Sequence, residues 1–263
     1  MRILRIIVRL PVFLLTTLGC YLLIMVGRLA TTLGFNGQPI SSYFLGVWGH
    51  LICMVMGMKV NVSGTAPKPP FFIVSNHLSY VDVMVLCKTT QTLFVAKNEV
   101  KNWPIFGILA KTIGMIFVDR EKRSDVARVN NEISDRLEKN YGVTIFPEAT
   151  TSPGYEILPF KTSLLAYPAA RSIPVHYATI SYSTPEDEQE AYMAVSWWGE
   201  MPFLNHFINI LSLRNFTCNI TFCEQPELHS NRKELASTLH KYISSTFNPV
   251  IEYSKYAERH TSE

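Results

Sequence analysis

The stretch Phe71-Phe72-Ile73-Val74-Ser75-Asn76-His77-Leu78-Ser79-Tyr80-Val81-Asp82 changes character halfway along. Its first five residues, apolar or small, read as a buried strand, and Ser79–Lys88 reads as a helix. A strand running almost directly into a helix is the building unit of α/β layers, and such folds place their sites at that end of the sheet. His77 and Asp82 are five residues apart. On one continuous helix they would point about 140° apart, so they meet only if His77 lies on the incoming turn and Asp82 in the first helical turns. A carboxylate on one imidazole nitrogen would then set the tautomer and leave the other nitrogen free to take a proton. Taken alone, the same residues also fit an Asn and an Asp capping a helix beside a satisfied histidine.

Working outward, Thr92–Ala96, Thr112–Asp119, Gly142–Phe146, Ile173–Tyr182 and Phe216–Glu224 read as further strands. Pro104–Lys111, Ser124–Asn140 and Asn231–Thr246 read as helices, the second of these opened by Ser124. The alternation predicts an α/β fold, a central, mostly parallel or mixed sheet flanked by helices. Phe146-Pro147-Glu148-Ala149-Thr150-Thr151-Ser152-Pro153-Gly154 again follows a strand directly. Small and hydroxylated residues with Pro and Gly predict a tight loop with backbone N–H groups to offer. No Gly/Ser-rich linker interrupts 60–250, which predicts one domain over 59–250, and the polar tail 251–263 is expected to fray.

The N-terminal end is different. Apolar residues make up 48% of the 263-residue chain and charged residues only 17%, against about 25% charged in an average soluble domain. Eighteen uncharged residues lie between Arg9 and Arg28, and thirty more from Leu29 to Met58. A bilayer span needs about 20 apolar residues, so Leu10–Gly27 is long enough to cross or to lie deep in one leaflet. Arg2, Arg5 and Arg9 would hold the N-terminus on the cytoplasmic side. No small-residue cleavage site follows, so the segment reads as a retained anchor. Tyr43–Met58, carrying Trp48 and His50, suits an interfacial or re-entrant helix. Residues 1–58 therefore read as a membrane-associated helical hairpin. The net charge of +3 (24 − 21) argues against a nucleic-acid partner. Five cysteines, at 20, 53, 87, 218 and 223, form no disulfide framework or zinc pattern, and no metal is expected.

The two boxes stop looking independent when the intervening pieces are read in order. His77 to Asp82 (an H-x₄-D box), Phe94-Val95-Ala96-Lys97, Pro104-Ile105-Phe106-Gly107, Gly114 to Arg120, Phe146-Pro147-Glu148, Leu158-Pro159-Phe160-Lys161 and Ile173-Pro174-Val175 follow one another at sensible spacings. Over about residues 60–225 this resembles the phospholipid/glycerol acyltransferase family, which includes 1-acylglycerol-3-phosphate acyltransferases. The resemblance implies that family's fold and a transfer of a fatty acyl group from a thioester to a lipid hydroxyl, without an acyl-enzyme. It implies His77 as general base and Asp82 as its orienting carboxylate, with backbone N–H groups near the start of the next helix on the oxyanion. Glu148 would hold the acceptor site together. Lys97 and Arg120 would bind the acceptor head group, and Asn76, Thr150, Thr151 and Lys161 would complete the substrate site. No cofactor is implied beyond the co-substrate, acyl-CoA or acyl carrier protein.

Two positions depart from the pattern. Where many relatives have Glu-Gly-Thr-Arg, this chain has Glu148-Ala149-Thr150-Thr151. Ala149 enters positive φ less cheaply than Gly, and Thr151 removes a fork-shaped phosphate ligand. Leu158-Pro159-Phe160-Lys161-Thr162-Ser163-Leu164, and the later Trp197-Trp198-Gly199-Glu200-Met201 with His206, look more like a branch that includes lyso-ornithine-lipid and other lysolipid acyltransferases. The expectation is a lysolipid O-acyltransferase at the cytoplasmic face of the inner membrane, with 1-acylglycerol 3-phosphate as lead acceptor. A lyso-ornithine lipid or other lysolipid is the alternative acceptor, and an inactive lipid-binding protein is the remote one.

Overall fold

The computed structural model describes all residues except 103–105, 120–121, 123–124 and 261–263. The expected Arg120, the Pro104-Ile105 start of one helix and the Ser124 cap of another lie outside the described residues. Two helices come first, α1 (Arg2–Thr32) and α2 (Gln38–Val55), joined by a short turn. The α/β part follows: β1 (Met58–Ser63), β2 (Phe71–Ser75), α3 (Val81–Thr90), β3 (Leu93–Lys97), α4 (Phe106–Ile113), β4 (Ile116–Val118), α5 (Asp125–Glu138) and β5 (Gly142–Ile145). The chain continues through α6 (Ala166–Arg171), β6 (Val175–Ser183), α7 (Ala191–Ala194), α8 (Phe203–Ser212), β7 (Phe216–Phe222), α9 (Arg232–Thr246) and α10 (Tyr253–His260).

Among the described residues the sheet has seven strands in the order β1-β7-β6-β2-β5-β3-β4. Every neighbouring pair is parallel except β6 with β7. The sheet is therefore mixed, and β2 sits at its centre with all five residues buried. A strand covered on both faces needs the continuous apolar run that Phe71–Val74 supplies. One face packs on α1, α2, α3 and α8 through Ile73, Leu86, Tyr182 and Phe216. The other packs on α5, α6 and α9 through Phe72, Ile133, Ile145 and Leu239.

The sequence reading has no counterpart of α6, α7 or α8, and it differs from the structure at three further places. The strand expected over Thr112–Asp119 shortens to β4 because α4 runs on to Ile113 and stops at Gly114, whose φ of +89° turns the chain out of the helix. β1 was hidden against the apolar stretch before it; Met58–Ser63 alternates apolar and polar residues and pairs with β7. The tail is not frayed over Tyr253–His260. Tyr253 and Tyr256 pack against Tyr155, His260 packs edge-on against Trp198, and Arg259 pairs with Glu190, so aromatic contacts hold α10 in place.

The hairpin is built into the domain. Gly49 of α2 lies so close to α3 that an added Cβ would stand 2.5 Å from the Lys88 nitrogen. Arg9 donates to the carbonyls of Leu211, Leu213 and Arg214, and Arg5 to that of Ser212. These arginines thus satisfy carbonyls left open at the end of α8. Further along α1, Phe13 packs edge-on against Phe207, Thr17 accepts from Trp48, and Tyr21 donates to Thr112.

Ile133 is fully buried where α5 meets the sheet. Ile133→Ala should lower unfolding free energy by about 2–5 kcal/mol, the usual cost of a large-to-small change in a packed core. Chemical denaturation in detergent solution would measure it; a shift under about 0.5 kcal/mol would contradict this packing.

Candidate active site

The site forms where β2 and β5 end side by side. Residues 76–80 turn from β2 into α3, so His77 lies on the turn and Asp82 in the first turn of the helix. His77 Nδ1 stands 2.8 Å from Asp82 Oδ2. The same oxygen accepts the backbone N–H of Leu78 at 2.8 Å and of Ser79 at 3.0 Å, and Oδ1 accepts the Tyr182 hydroxyl at 2.6 Å. Asp82 is completely buried, and these donors replace the water it has lost. Because the carboxylate accepts, Nδ1 carries the proton and Nε2 keeps its lone pair. Burial and the Asp82 charge push the Tyr182 phenol well above its ordinary range, so it stays a donor. Tyr182, a hundred residues from Asp82, carries no local sequence signal.

The second box closes around the first. Phe146, just past β5, stacks on the His77 ring with centroids 4.0 Å apart and planes 9° from parallel. Glu148 takes the His77 backbone N–H on Oε1 at 2.7 Å and the Leu158 N–H on Oε2 at 2.9 Å. It therefore ties the histidine turn to the far end of its own loop. Burial pushes this carboxyl from 4.5 up to about 8, the two N–H bonds pull it back, and the Asp82 charge adds to the rise. Ala149 adopts φ +66°, the conformation in which an alanine is strained and a glycine is not.

The remaining predicted residues divide. Thr150, Thr151 and Lys97 line one cavity with His77. Lys97 stands at 3.3 Å from Glu99, another lining residue. Lys161 is exposed and does not line the cavity; its backbone N–H bonds the Pro147 carbonyl at 2.8 Å. Asn76 is fully buried, with its amide oxygen and nitrogen exchanging bonds with the Ile180 backbone at 2.7 and 2.9 Å. That geometry makes it a clasp between β2 and β6, out of reach of a substrate. The Leu78 and Ser79 N–H groups at the start of α3 are committed to Asp82, and those of Asp82 and Val83 to the turn, so none of these four is open to an oxyanion.

The cavity has a volume of about 480 Å³ and is mostly apolar. Phe13, Tyr21 and Ile24 of α1 contribute to its wall together with Trp48 of α2. Cys87 reaches it too, but burial raises that thiol far above its ordinary range and leaves it inert. Tyr80, beside the histidine, donates to His206 Nδ1 at 3.0 Å, since the other ring nitrogen faces the Ser196 carbonyl at 3.0 Å and must carry the proton. Burial holds His206 down to about 4, so this pair stays fixed across the working pH range. Among the described residues no three His, Cys, Asp or Glu side chains come together as a metal site requires.

Residues 59–183 match the family described as acyltransferase. The chain is 32% identical to a lyso-ornithine lipid O-acyltransferase of Rhizobium meliloti, covering 74% of this chain and 72% of that protein. It is 33% identical to a 1-acyl-sn-glycerol-3-phosphate acyltransferase of Neisseria gonorrhoeae over 44% of this chain and 46% of that one. The fold is that of the LPA acyltransferase PlsC from Thermotoga maritima, with a TM-score of 0.59 at 18% identity over 97% of this chain and 98% of that one.

Two outcomes follow from this geometry. Tyr182→Phe should cost about 1.5–3 kcal/mol of stability, the worth of a hydrogen bond to a charged group, and lower turnover with it; unchanged unfolding would mean that Asp82 does not depend on this donor. Glu148 keeps its proton to higher pH in the fold than in the unfolded chain, so its contribution makes stability fall as pH rises from 4.5 to about 8 and level off above that. Glu148→Gln should flatten that slope in urea titrations across the window; an unaltered slope would mean that another group causes it.

Proposed function

The chain belongs to the acyltransferase family, and from that premise we propose that it moves a fatty acyl group from a thioester donor to the free hydroxyl of a lysolipid. The observation that carries the reading is the His77–Asp82 pair opening into an apolar cavity. Nε2 of His77 takes the proton of the acceptor hydroxyl as its oxygen attacks the thioester carbonyl. Asp82, held by its other donors, stabilises the imidazolium that forms. The tetrahedral intermediate collapses with cleavage of the carbon–sulfur bond. The thiolate leaves readily because thiols ionise near pH 8.5, and the imidazolium returns the proton to it. The Thr150 and Thr151 hydroxyls, on the cavity wall, supply the polar contacts that the entry to α3 does not. Acyl-CoA or an acyl carrier protein is the donor, and its chain occupies the apolar cavity.

The lead acceptor is 1-acylglycerol 3-phosphate, giving phosphatidate. Lyso-ornithine lipid is the second reading, favoured by Thr151 in place of a guanidinium and by the names of relatives that cover about three quarters of the chain. The enzyme works at the cytoplasmic face of the inner membrane, where the soluble thioesters are. Among the described helices one, α1, is long and apolar enough to cross a membrane. Its contacts with α8, α2 and α4 recur from Arg5 to Tyr21, about 24 Å of helix. A helix attached to the domain along that length lies in one leaflet with its outer face in lipid, instead of leading away through the bilayer.

Purified protein should be given one acyl-CoA with lysophosphatidate or lyso-ornithine lipid, products being read by mass spectrometry. Lysophosphatidate is expected to yield phosphatidate, and His77→Ala to reduce turnover at least ~10²-fold. Full activity in folded His77→Ala protein would sink the mechanism. Acylation of lyso-ornithine lipid alone would give the second reading the lead.

A further inference from the structure

Trp197 and His206 stand outside the proton transfer, yet both are joined to the turn that carries His77. The backbone N–H of Trp197 donates to the Leu78 carbonyl at 2.9 Å. His206, on α8, accepts the Tyr80 hydroxyl on Nδ1 at 3.0 Å and donates from Nε2 to the Ser196 carbonyl at 3.0 Å. That carbonyl and the Trp197 N–H belong to one peptide group, so it is held from two sides. Leu78 and Tyr80 follow His77 on the turn itself. The place of Trp197 is therefore referred to the same short stretch of backbone as the place of the base.

The rings of this region meet in one aromatic group. Tyr80 packs edge-on against Trp197 at 5.9 Å and against Phe203 at 5.0 Å, and Trp197 packs edge-on against Phe203 at 6.1 Å. All three line the cavity with His77. The Trp197 indole nitrogen donates to the Met201 carbonyl at 2.8 Å and the Tyr80 hydroxyl is taken by His206. Ring carbon is what these two residues then offer the cavity. The neighbouring Trp198 donates its indole N–H to the Tyr192 carbonyl at 2.7 Å and packs edge-on against Tyr256 and His260 of α10. Adjacent tryptophans thus do different work: Trp198 anchors the segment in the α10 cluster, and Trp197 forms cavity wall. A wall tied at so many points does not yield to extra bulk as a mobile side chain would.

We infer that Trp197 is a specificity-determining residue whose indole limits the thickness of the acyl chain next to the carbonyl under attack, and that His206 is its positioning residue, acting through Tyr80 and the Ser196 carbonyl. The attacked carbonyl has to lie within reach of an oxygen hydrogen-bonded to Nε2 of His77. The first carbons of the acyl chain are consequently the ones that pass the residues tied to the histidine turn. The donor class admitted is the straight-chain acyl thioester, and a methyl branch on the carbon beside the carbonyl meets the indole. This rests on the acyl-transfer reading above and adds to it which donors the cavity takes.

The test compares kcat/KM for palmitoyl-CoA and its 2-methyl-branched counterpart, with the lysolipid that the unsubstituted protein acylates and products read by mass spectrometry. Trp197→Ala should raise the branched-to-straight ratio at least ~10-fold, the scale on which a pocket discriminates one carbon. Trp197→Leu keeps an apolar side chain on the wall, should move the ratio the same way, and serves if the alanine variant does not fold. His206→Ala and Tyr80→Phe should each raise the ratio at least ~2-fold, as loss of one hydrogen bond allows. The double variant should go no further than His206→Ala alone, because both changes remove the same bond. A loss of fold lowers both rates together and leaves the ratio in place. An unmoved ratio in folded Trp197 variants would overturn the specificity role. A raised ratio there with an unmoved one in His206→Ala would overturn the positioning role of His206. Failure of the unsubstituted protein to acylate either lysophosphatidate or lyso-ornithine lipid with palmitoyl-CoA would overturn the acyl-transfer reading and this inference with it.

Discussion

A carboxylate removed entirely from water has to be answered donor by donor, and in this protein that demand organises the centre of the fold. Asp82 receives bonds from the His77 ring, two N–H groups of the turn and the Tyr182 hydroxyl. Those donors come from the end of β2, the entry to α3 and the far half of the chain on β6. Taking one away leaves a buried charge partly unpaired, which costs more than the bond itself contributes. The arrangement therefore fixes the strand order near β2, the entry angle of α3 and the tautomer of His77 together. Asn76 reinforces it by locking β2 to Ile180 of the same strand that carries Tyr182.

Glu148 sets a second condition. Its two oxygens hold the His77 and Leu158 amides, so the loop after β5 cannot move without moving the histidine. The strained φ at Ala149 is tolerated because both ends of that loop are tied, at Glu148 and again where Pro147 accepts from Lys161. Phe146 covers one face of the His77 ring, so the imidazole sits against an apolar wall and beside an apolar cavity. Such surroundings suit a reaction between a fatty thioester and a lipid hydroxyl, whose apolar parts greatly outweigh their polar ones.

The N-terminal hairpin meets two requirements with one helix. The inner side of α1 completes the cavity and the core, through Phe13 and Ile24, while its outer side exposes leucines that water does not favour. Arg5 and Arg9, which a membrane rule reads as topology signals, are occupied in the fold with the open carbonyls at the end of α8. Hairpin and sheet are consequently one packed body.

Local pattern alone determined the α/β class, most of the strands and helices, the apolar hairpin and the His77–Asp82 pair. Each of these depends on residues close in sequence: a strand's apolar run, a helix's period, a five-residue spacing. Even the stop of α4 at Gly114 and the alternation in β1 were present as local signals, masked by apolar neighbours. Tertiary structure decided what depends on distant partners. Tyr182 reached Asp82, His206 reached Tyr80, and Asn76 was turned from a substrate ligand into a clasp on β6. Lys161 was left outside the cavity that took in Lys97. The tail became α10 because Tyr155 and Trp198 stood ready to pack it. Propensity is written residue by residue, whereas a buried polar group acquires its role only from the donors and acceptors that the folded chain brings to it.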